Sequence, residues 1–211
     1  MAQQPSAIRR RRKDARPSEI LAAALALFGE KGFAATRLED VAARAGISKG
    51  TVYLYFPTKE DLFRAVLRQD LLPNIEAMEA EIAGHTGPAS ELLRRIAQRL
   101  RHVLTTDLTI IPKLVLAESG NFPAIARIYA EEVVQRGMAM LAGILTRGME
   151  RGEFRRLDPA AVIPGIVAPF LMMALWKHSL ARHTPIQMDP RAVLETHIDL
   201  LLRGLAMEPT A

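Results

Sequence analysis

Apolar residues recur at spacings of three, four and seven along most of this chain, and no strand-like alternation persists over a useful length. That period belongs to amphipathic helices, so the pattern predicts an all-α fold. Ile20, Ala23, Ala24, Leu27 and Phe28 form the stripe of a first helix over about 17–31. Leu38, Val41 and Ala42 share one face of a short second helix, and another short helix follows Ser48. A fourth runs over 58–84 and is expected to kink or break at Pro73, because a proline inside a helix loses a hydrogen bond. Beyond the loop Gly84-His85-Thr86-Gly87-Pro88, a helix from Ser90 buries Leu92, Leu93, Ile96, Leu100, Val103 and Leu104. Residues 107–119 form the next. A long helix over 121–148 carries Ile125, Ile128, Val133, Met138, Leu141, Ile144 and Leu145. A charged connection at 152–158 leads to two last helices, 159–183 and 190–206.

Residues 36–56 carry the chemistry. Thr36 is placed to N-cap the second helix, with Glu39 three residues on to close a capping box. Gly46 suits a left-handed helix end, which lets the chain turn sharply, and Ile47 fills the space between the helices. Ser48 N-caps the third helix, whose first turn offers Lys49, Gly50 and Thr51. Free N–H groups and a positive dipole end suit such a turn to phosphate. Val52 faces inward, while Tyr53 and Tyr55 are able to send hydroxyls to a DNA backbone. Phe56 and Pro57 close the helix, and Thr58 caps the next with Asp61 in the box position. Two short helices about a tight turn, the second small, basic and aromatic, are the layout of a helix-turn-helix set in the major groove.

Charge sharpens that reading. The net charge is +5, and it is not spread evenly. Residues 1–64 hold twelve Lys/Arg against seven Asp/Glu, while the rest of the chain holds sixteen of each. Much of the excess lies in Arg9-Arg10-Arg11-Arg12-Lys13, ahead of the first stripe. A basic arm of this kind enters a minor groove or lies along phosphates. Its alternative is a solvated tail.

The stretch from about Pro17 to Arg68 resembles the DNA-binding domain of the TetR family of bacterial one-component repressors. The resemblance rests on Ile20-Leu21-Ala22-Ala23-Ala24, on Leu27-Phe28-Gly29-Glu30-Lys31-Gly32-Phe33, on the helix-turn-helix, and on Tyr53-Leu54-Tyr55-Phe56-Pro57-Thr58-Lys59-Glu60-Asp61-Leu62. It implies an arm over 1–16, a helix-turn-helix domain over 17–68, and an effector-binding and dimerisation domain over 69–211. Thr36, Arg37, Lys49, Tyr53, Tyr55 and Lys59 are then expected to hold phosphates, with Gly50 and Thr51 near base edges. The partner is double-stranded operator DNA, read by a homodimer. The last two helices of each subunit would pair into a four-helix interface, with Phe170, Trp176, Leu194, Ile198, Leu201 and Leu205 as its candidates. A small hydrophobic effector is expected in a cavity lined by Met138, Leu141, Phe170, Met172, Met173 and Trp176. His102, Glu118 and His178 are the polar candidates there, since an apolar cavity with few polar groups suits such a ligand. Glu118-Ser119-Gly120-Asn121-Phe122-Pro123, Tyr129 with Glu131-Glu132-Val133, Gly148 through Arg155 and Asp158-Pro159 resemble one common branch of the family, without fixing a ligand.

Other classes fit less well. With no cysteine, disulfides, thiolate metal sites and cysteine nucleophiles are all excluded. The Gly46–Thr51 segment lacks a phosphate loop's ending and follows no strand. No Gly-x-Ser-x-Gly elbow occurs, and no two of the five histidines lie three or four apart, so neither a catalytic site, a cofactor nor a metal is expected. Residues 160–176 hold no charge, and seventeen such residues approach a membrane span. Pro164 and Pro169 interrupt them, and a helix apolar all round is more often core or a subunit contact. The absence of a secretory signal pattern leads to a cytoplasmic expectation. The rival from another class is a helical protein–protein adaptor or small-molecule carrier that does not bind DNA.

Overall fold

The structure, a computed structural model, describes residues 6–207. Eleven α-helices carry the described residues: α1 (Ser6–Ala35), α2 (Leu38–Arg44), α3 (Lys49–Tyr55), α4 (Lys59–Val66), α5 (Leu72–Gly84), α6 (Ala89–Leu104), α7 (Ile110–Glu118), α8 (Pro123–Tyr129), α9 (Gln135–Glu150), α10 (Pro159–Leu175) and α11 (Pro190–Leu205). The all-α expectation holds, and so do most of the element boundaries. The exception is the start. The helix expected from residue 17 begins at Ser6 and runs through Pro17, so the backbone of 6–16 extends α1 instead of forming an arm. The rest of the expected arm, residues 1–5, and the side chains of 6–16 lie outside the described residues.

The expected break near Pro73 takes a specific form. A π-turn at Leu67–Leu71 separates α4 from α5, and Pro73 sits in the first turn of α5, where its missing N–H costs little. A second π-turn, Ala130–Val134, divides the long helix expected over 121–148 into α8 and α9.

The main core crosses the boundary expected at residue 68. Phe28, Phe33, Val41, Val52, Leu62 and Phe63 of the first four helices pack in one cluster with Ile110, Ile111, Leu114 and Ile125. Phe33 is the hub: its ring centroid lies 5.4 Å from that of Phe28, 6.0 Å from Phe63 and 5.0 Å from Phe122. A second cluster joins α6, α9, α10 and α11 through Leu92, Leu93, Ile144, Leu145, Ile163 and Leu205. A third holds Leu104, Phe170, Met173, Ala174 and Leu194. The uncharged helix α10 therefore has one face in the chain's own core, through Ile163, Ile166, Phe170 and Met173. Its other face, with Ala161, Pro164, Gly165, Ala168 and Met172, is exposed. The segment Pro159–His183 is long and apolar enough to cross a membrane by length and composition alone.

Candidate nucleic-acid interface

The turn between α2 and α3 is built as the residues suggest. Gly46 has φ 67°, and the Ile47 N–H donates to the Ala42 carbonyl at 3.0 Å, closing the end of α2. Ile47 is half-buried against the main core. Ser48 Oγ accepts from the Thr51 N–H at 3.2 Å, which caps α3, and Val52 is fully buried beneath it. Thr58 Oγ1 accepts from the Asp61 N–H at 3.0 Å, which caps α4, and donates to the Asp61 carboxylate at 2.6 Å, a side-chain contact in place of the box bond to the Thr58 N–H. These contacts hold α3 with its outer face free of the protein. Lys49, Gly50, Tyr53 and Leu54 are exposed on it.

Not every expected contact residue lies on this face. Thr36 is only 1% exposed, and its hydroxyl donates to the Gly32 carbonyl at 2.7 Å and the Leu27 carbonyl at 3.3 Å. It therefore cannot hold a phosphate, nor does it cap α2. Arg37 occupies the cap position, and its N–H donates to Asp40 Oδ2 at 3.4 Å, so Asp40 rather than Glu39 takes the box role. Lys59 is likewise committed to the protein. Its ammonium donates to the Phe33 carbonyl at 2.5 Å and the Ala34 carbonyl at 3.1 Å, and sits 4.5 Å from the Phe33 ring centroid. Burial pushes its pKa down, as expected for a cation withdrawn from water. Both residues were reachable from sequence as motif positions, but spacing does not say whether a polar group faces solvent or a carbonyl.

Arg37, Lys49, Gly50, Thr51, Tyr53 and Tyr55 stay together around α3. Arg37 is exposed and, among the described residues, in no ion pair. The Thr51 hydroxyl shares a 2.8 Å hydrogen bond with Ser48 Oγ, and Tyr55 is half-buried against the core. One residue was missed as a member of this surface. Glu39 on α2 holds the Lys49 ammonium at 2.5 Å and accepts from the Tyr53 hydroxyl at 3.2 Å. The Lys49 ammonium, first among several donors, holds the Glu39 carboxyl down at about 2. Because that value is depressed, the pair is charged above the ordinary carboxylate range and is lost only as pH falls toward 2. Lys49 and Tyr53 are thus aimed by a carboxylate on the neighbouring helix.

The effector candidates do not converge. Leu141, Phe170 and Met173 are buried in filled core, Trp176 is half-buried beside them, and Met138 and Met172 are 42% and 47% exposed. Glu118 turns toward the helix-turn-helix domain, where its carboxylate accepts from the Ala34 N–H at 3.2 Å. His102 borders a groove of about 650 Å³ between α5 and α6, with Met78, Glu81, Arg94, Arg99, Leu100 and Val103. His178 borders a different cavity, about 590 Å³, where Ala22, Leu25 and Ala26 of α1 face Gln69, Asp70, Asp107, Leu108 and Ile110. Its ring also meets the buried Thr109 hydroxyl at 2.7 Å, and burial lowers its pKa. A helical stripe of methionine and aromatic residues reads the same whether it lines a void or fills one, and here most of it fills.

The interface candidates divide in the same way. Phe170, Leu194 and Leu205 are buried in the chain's own core, and Ile198, Leu201 and Trp176 are half-buried against it. Leu200, one position away, is 63% exposed. Lys59 gives the sharpest check on the assignment of roles. Lys59→Ala leaves two carbonyls without their donor, costing about 1–3 kcal/mol, or roughly 2–12 °C in Tm. A melting curve should show that loss while the salt dependence of DNA binding stays as in the unmutated protein. A flatter salt slope at unchanged Tm would return Lys59 to the phosphates.

Comparison with known proteins agrees with this geometry. The pattern of bacterial regulatory proteins of the tetR family matches residues 20–66, and that of the tetracyclin repressor-like C-terminal domain matches residues 83–188. The chain is 31% identical over 153 residues to the uncharacterized HTH-type transcriptional regulator YfiR of Bacillus subtilis, covering 72% of this chain and 74% of that one. It is 31% identical over 147 residues to the fatty acid metabolism regulator protein of the same organism, covering 68% and 74% respectively. The crystal structure of the transcriptional regulator FadR from Bacillus subtilis, in complex with stearoyl-CoA, superposes with a TM-score of 0.72 at 26% identity, over 89% of this chain and 98% of that one. Family patterns over both parts of the chain, and relatives that are regulators rather than enzymes, leave the adaptor or carrier reading without support. The chain belongs to the TetR family of DNA-binding transcriptional regulators.

Proposed function

We propose that this protein is a cytoplasmic repressor that binds a palindromic operator as a homodimer and leaves it when an effector binds. The observation that carries the reading is the outer face of α3, with Lys49, Gly50 and Tyr53 exposed while Val52 anchors the helix from behind. Phosphate contacts from Arg37, Lys49 and the tyrosines would set the register, and the line of Gly50 would admit the helix to base edges. Lys49→Ala should weaken binding to the protein's own upstream region in a mobility-shift assay, and the salt slope should fall by about one per subunit. Unchanged affinity and slope would remove Lys49 from the interface.

The dimer is proposed to form through the exposed faces of α10 and α11. Ala161, Pro164, Gly165, Ala168 and Met172 lie along one, and Thr196, Leu200 and Gly204 along the other. Small residues at helical spacing allow close backbone approach, and a self-complementary face closes on a two-fold axis. That arrangement gives the apolar surface of α10 a protein partner instead of lipid. Two recognition helices would then address grooves one DNA turn apart, roughly 34 Å. Leu200→Glu should yield a monomer in sedimentation velocity with unchanged helical content. A monomer for the unmutated protein at micromolar concentration would end the proposal.

The effector is proposed to be an amphiphile with an apolar body and an anionic head. The groove between α5 and α6 supports this, since Met78, Leu100 and Val103 line it beside Arg94 and His102, with Arg99 held by Glu81. So does the stearoyl-CoA bound by the FadR structure. Ligand would favour a subunit arrangement whose recognition helices no longer match the operator, and a hundredfold loss of affinity needs about 2.7 kcal/mol of coupling. Stearoyl-CoA or stearate, but not coenzyme A alone, should release operator DNA in a fluorescence-anisotropy titration. If none of the three changes operator affinity, this effector class is wrong.

A further inference from the structure

Leu54 is the most exposed large apolar side chain on the helix-turn-helix, at 80%, and it sits between two tyrosines on α3. Its place follows from helix geometry. Each residue advances 100°, so Gly50 and Leu54 both lie about 200° from Val52 and four residues apart. Val52 is fully buried, so Gly50 and Leu54 form the outermost line of the helix. A Cβ added at Gly50 would meet nothing nearer than Ser48 Oγ at 4.0 Å, so the backbone there stands open to a close approach.

The polar neighbours of this line already have partners. Lys49 and Tyr53 are held by Glu39, and the Thr51 hydroxyl is bonded to Ser48. Tyr55 is packed against the core. Leu54 belongs to no hydrophobic cluster among the described residues, and its side chain offers neither donor nor acceptor. Inside a major groove the base edges present donors, acceptors and one apolar group, the 5-methyl of thymine. A leucine at the crest of the helix is matched by that group and by no other base substituent.

We infer that Leu54 is a specificity-determining residue that reads a thymine methyl in each operator half-site, with Gly50 setting how near the helix comes. The inference rests on the operator-binding reading above. Contact with one methyl contributes about as much as one buried CH₂, which corresponds to about fourfold in affinity.

The test uses the full chain. A duplex selected from a random pool by the unmutated protein is rebuilt with each thymine in turn replaced by uracil, which removes the methyl and nothing else. One symmetric pair of positions should cost about fourfold per half-site with the unmutated protein and nothing with Leu54→Ala. At every other thymine the two proteins should respond alike. Helical content by circular dichroism should be the same in both, since Leu54 supports no core. If no thymine loses its methyl sensitivity in Leu54→Ala, the inference is wrong. It is also wrong if the variant binds every duplex equally weakly, which would place Leu54 on sugar. A protein that enriches no duplex at all overturns the operator-binding reading itself.

Discussion

The turn from Gly32 to Thr36 fixes the geometry on which the rest of this molecule depends. Gly32 has φ 80° and ψ 171°, a conformation that side chains rarely tolerate, and an added Cβ would come within 3.1 Å of Glu118 Oε1. Gly32 kinks α1 there, three residues before its end, and sets the angle at which α2 starts and α3 is brought outward. Three polar groups hold that angle. Thr36 returns a hydrogen bond to Gly32, Lys59 from α4 bonds the Phe33 and Ala34 carbonyls, and Glu118 from α7 accepts from the Ala34 N–H. These side chains thus bond backbone groups of residues 32–34 from three different parts of the chain. Beneath them the Phe28, Phe33 and Phe63 rings meet at tilted and edge-on angles, which fixes the spacing of α1 and α4.

The same turn joins the two parts of the chain. Phe122 reaches the Phe33 ring, Glu118 reaches Ala34, and Arg68 and Arg64 meet the Glu132 carboxylate at 3.0 and 3.7 Å. A core shared by α1, α4, α7 and α8 leaves no soft joint between the helix-turn-helix and the helices behind it. Residues 118–122 and 32–34 are thus in direct contact, and close-packed interiors transmit strain instead of absorbing it.

Much of this was legible in the sequence because it is local. Capping residues, the left-handed Gly46 and the apolar period announce themselves within a few positions, and Ser48, Thr58 and the helix order came out as the residues suggested. What was not legible is tertiary. Thr36 and Lys59 occupy motif positions, but only the folded chain shows that both face carbonyls. Glu39 looked like a capping residue because its role as the partner of Lys49 depends on how α2 crosses α3. In α11 the period marks Leu194, Ile198, Leu201 and Leu205 correctly as one stripe, yet the chain itself consumes that stripe and leaves Leu200 outside. A helix between two partners has two apolar stripes, and periodicity does not say which partner takes which.

The charges divide the work of recognition. Residues 17–64 hold six Lys/Arg and six Asp/Glu, so the stretch from α1's Pro17 through most of α4 is neutral. Lys31, Arg44, Lys49 and Arg64 are each paired with a carboxylate, and Lys59 is bonded inward. The whole net charge of +5 thus equals the surplus of residues 9–16, six Lys/Arg against Asp14. Long-range attraction to DNA follows net charge, while register and sequence preference follow the placement of individual groups. In the proposed operator complex the two would fall to different segments, the basic run supplying a field that is blind to sequence and weakened by salt. The α3 helix, its one cation Lys49 already paired with Glu39 and its crest formed by glycine and leucine, adds little to that field. In the proposed operator complex it would contribute shape and short-range contact instead.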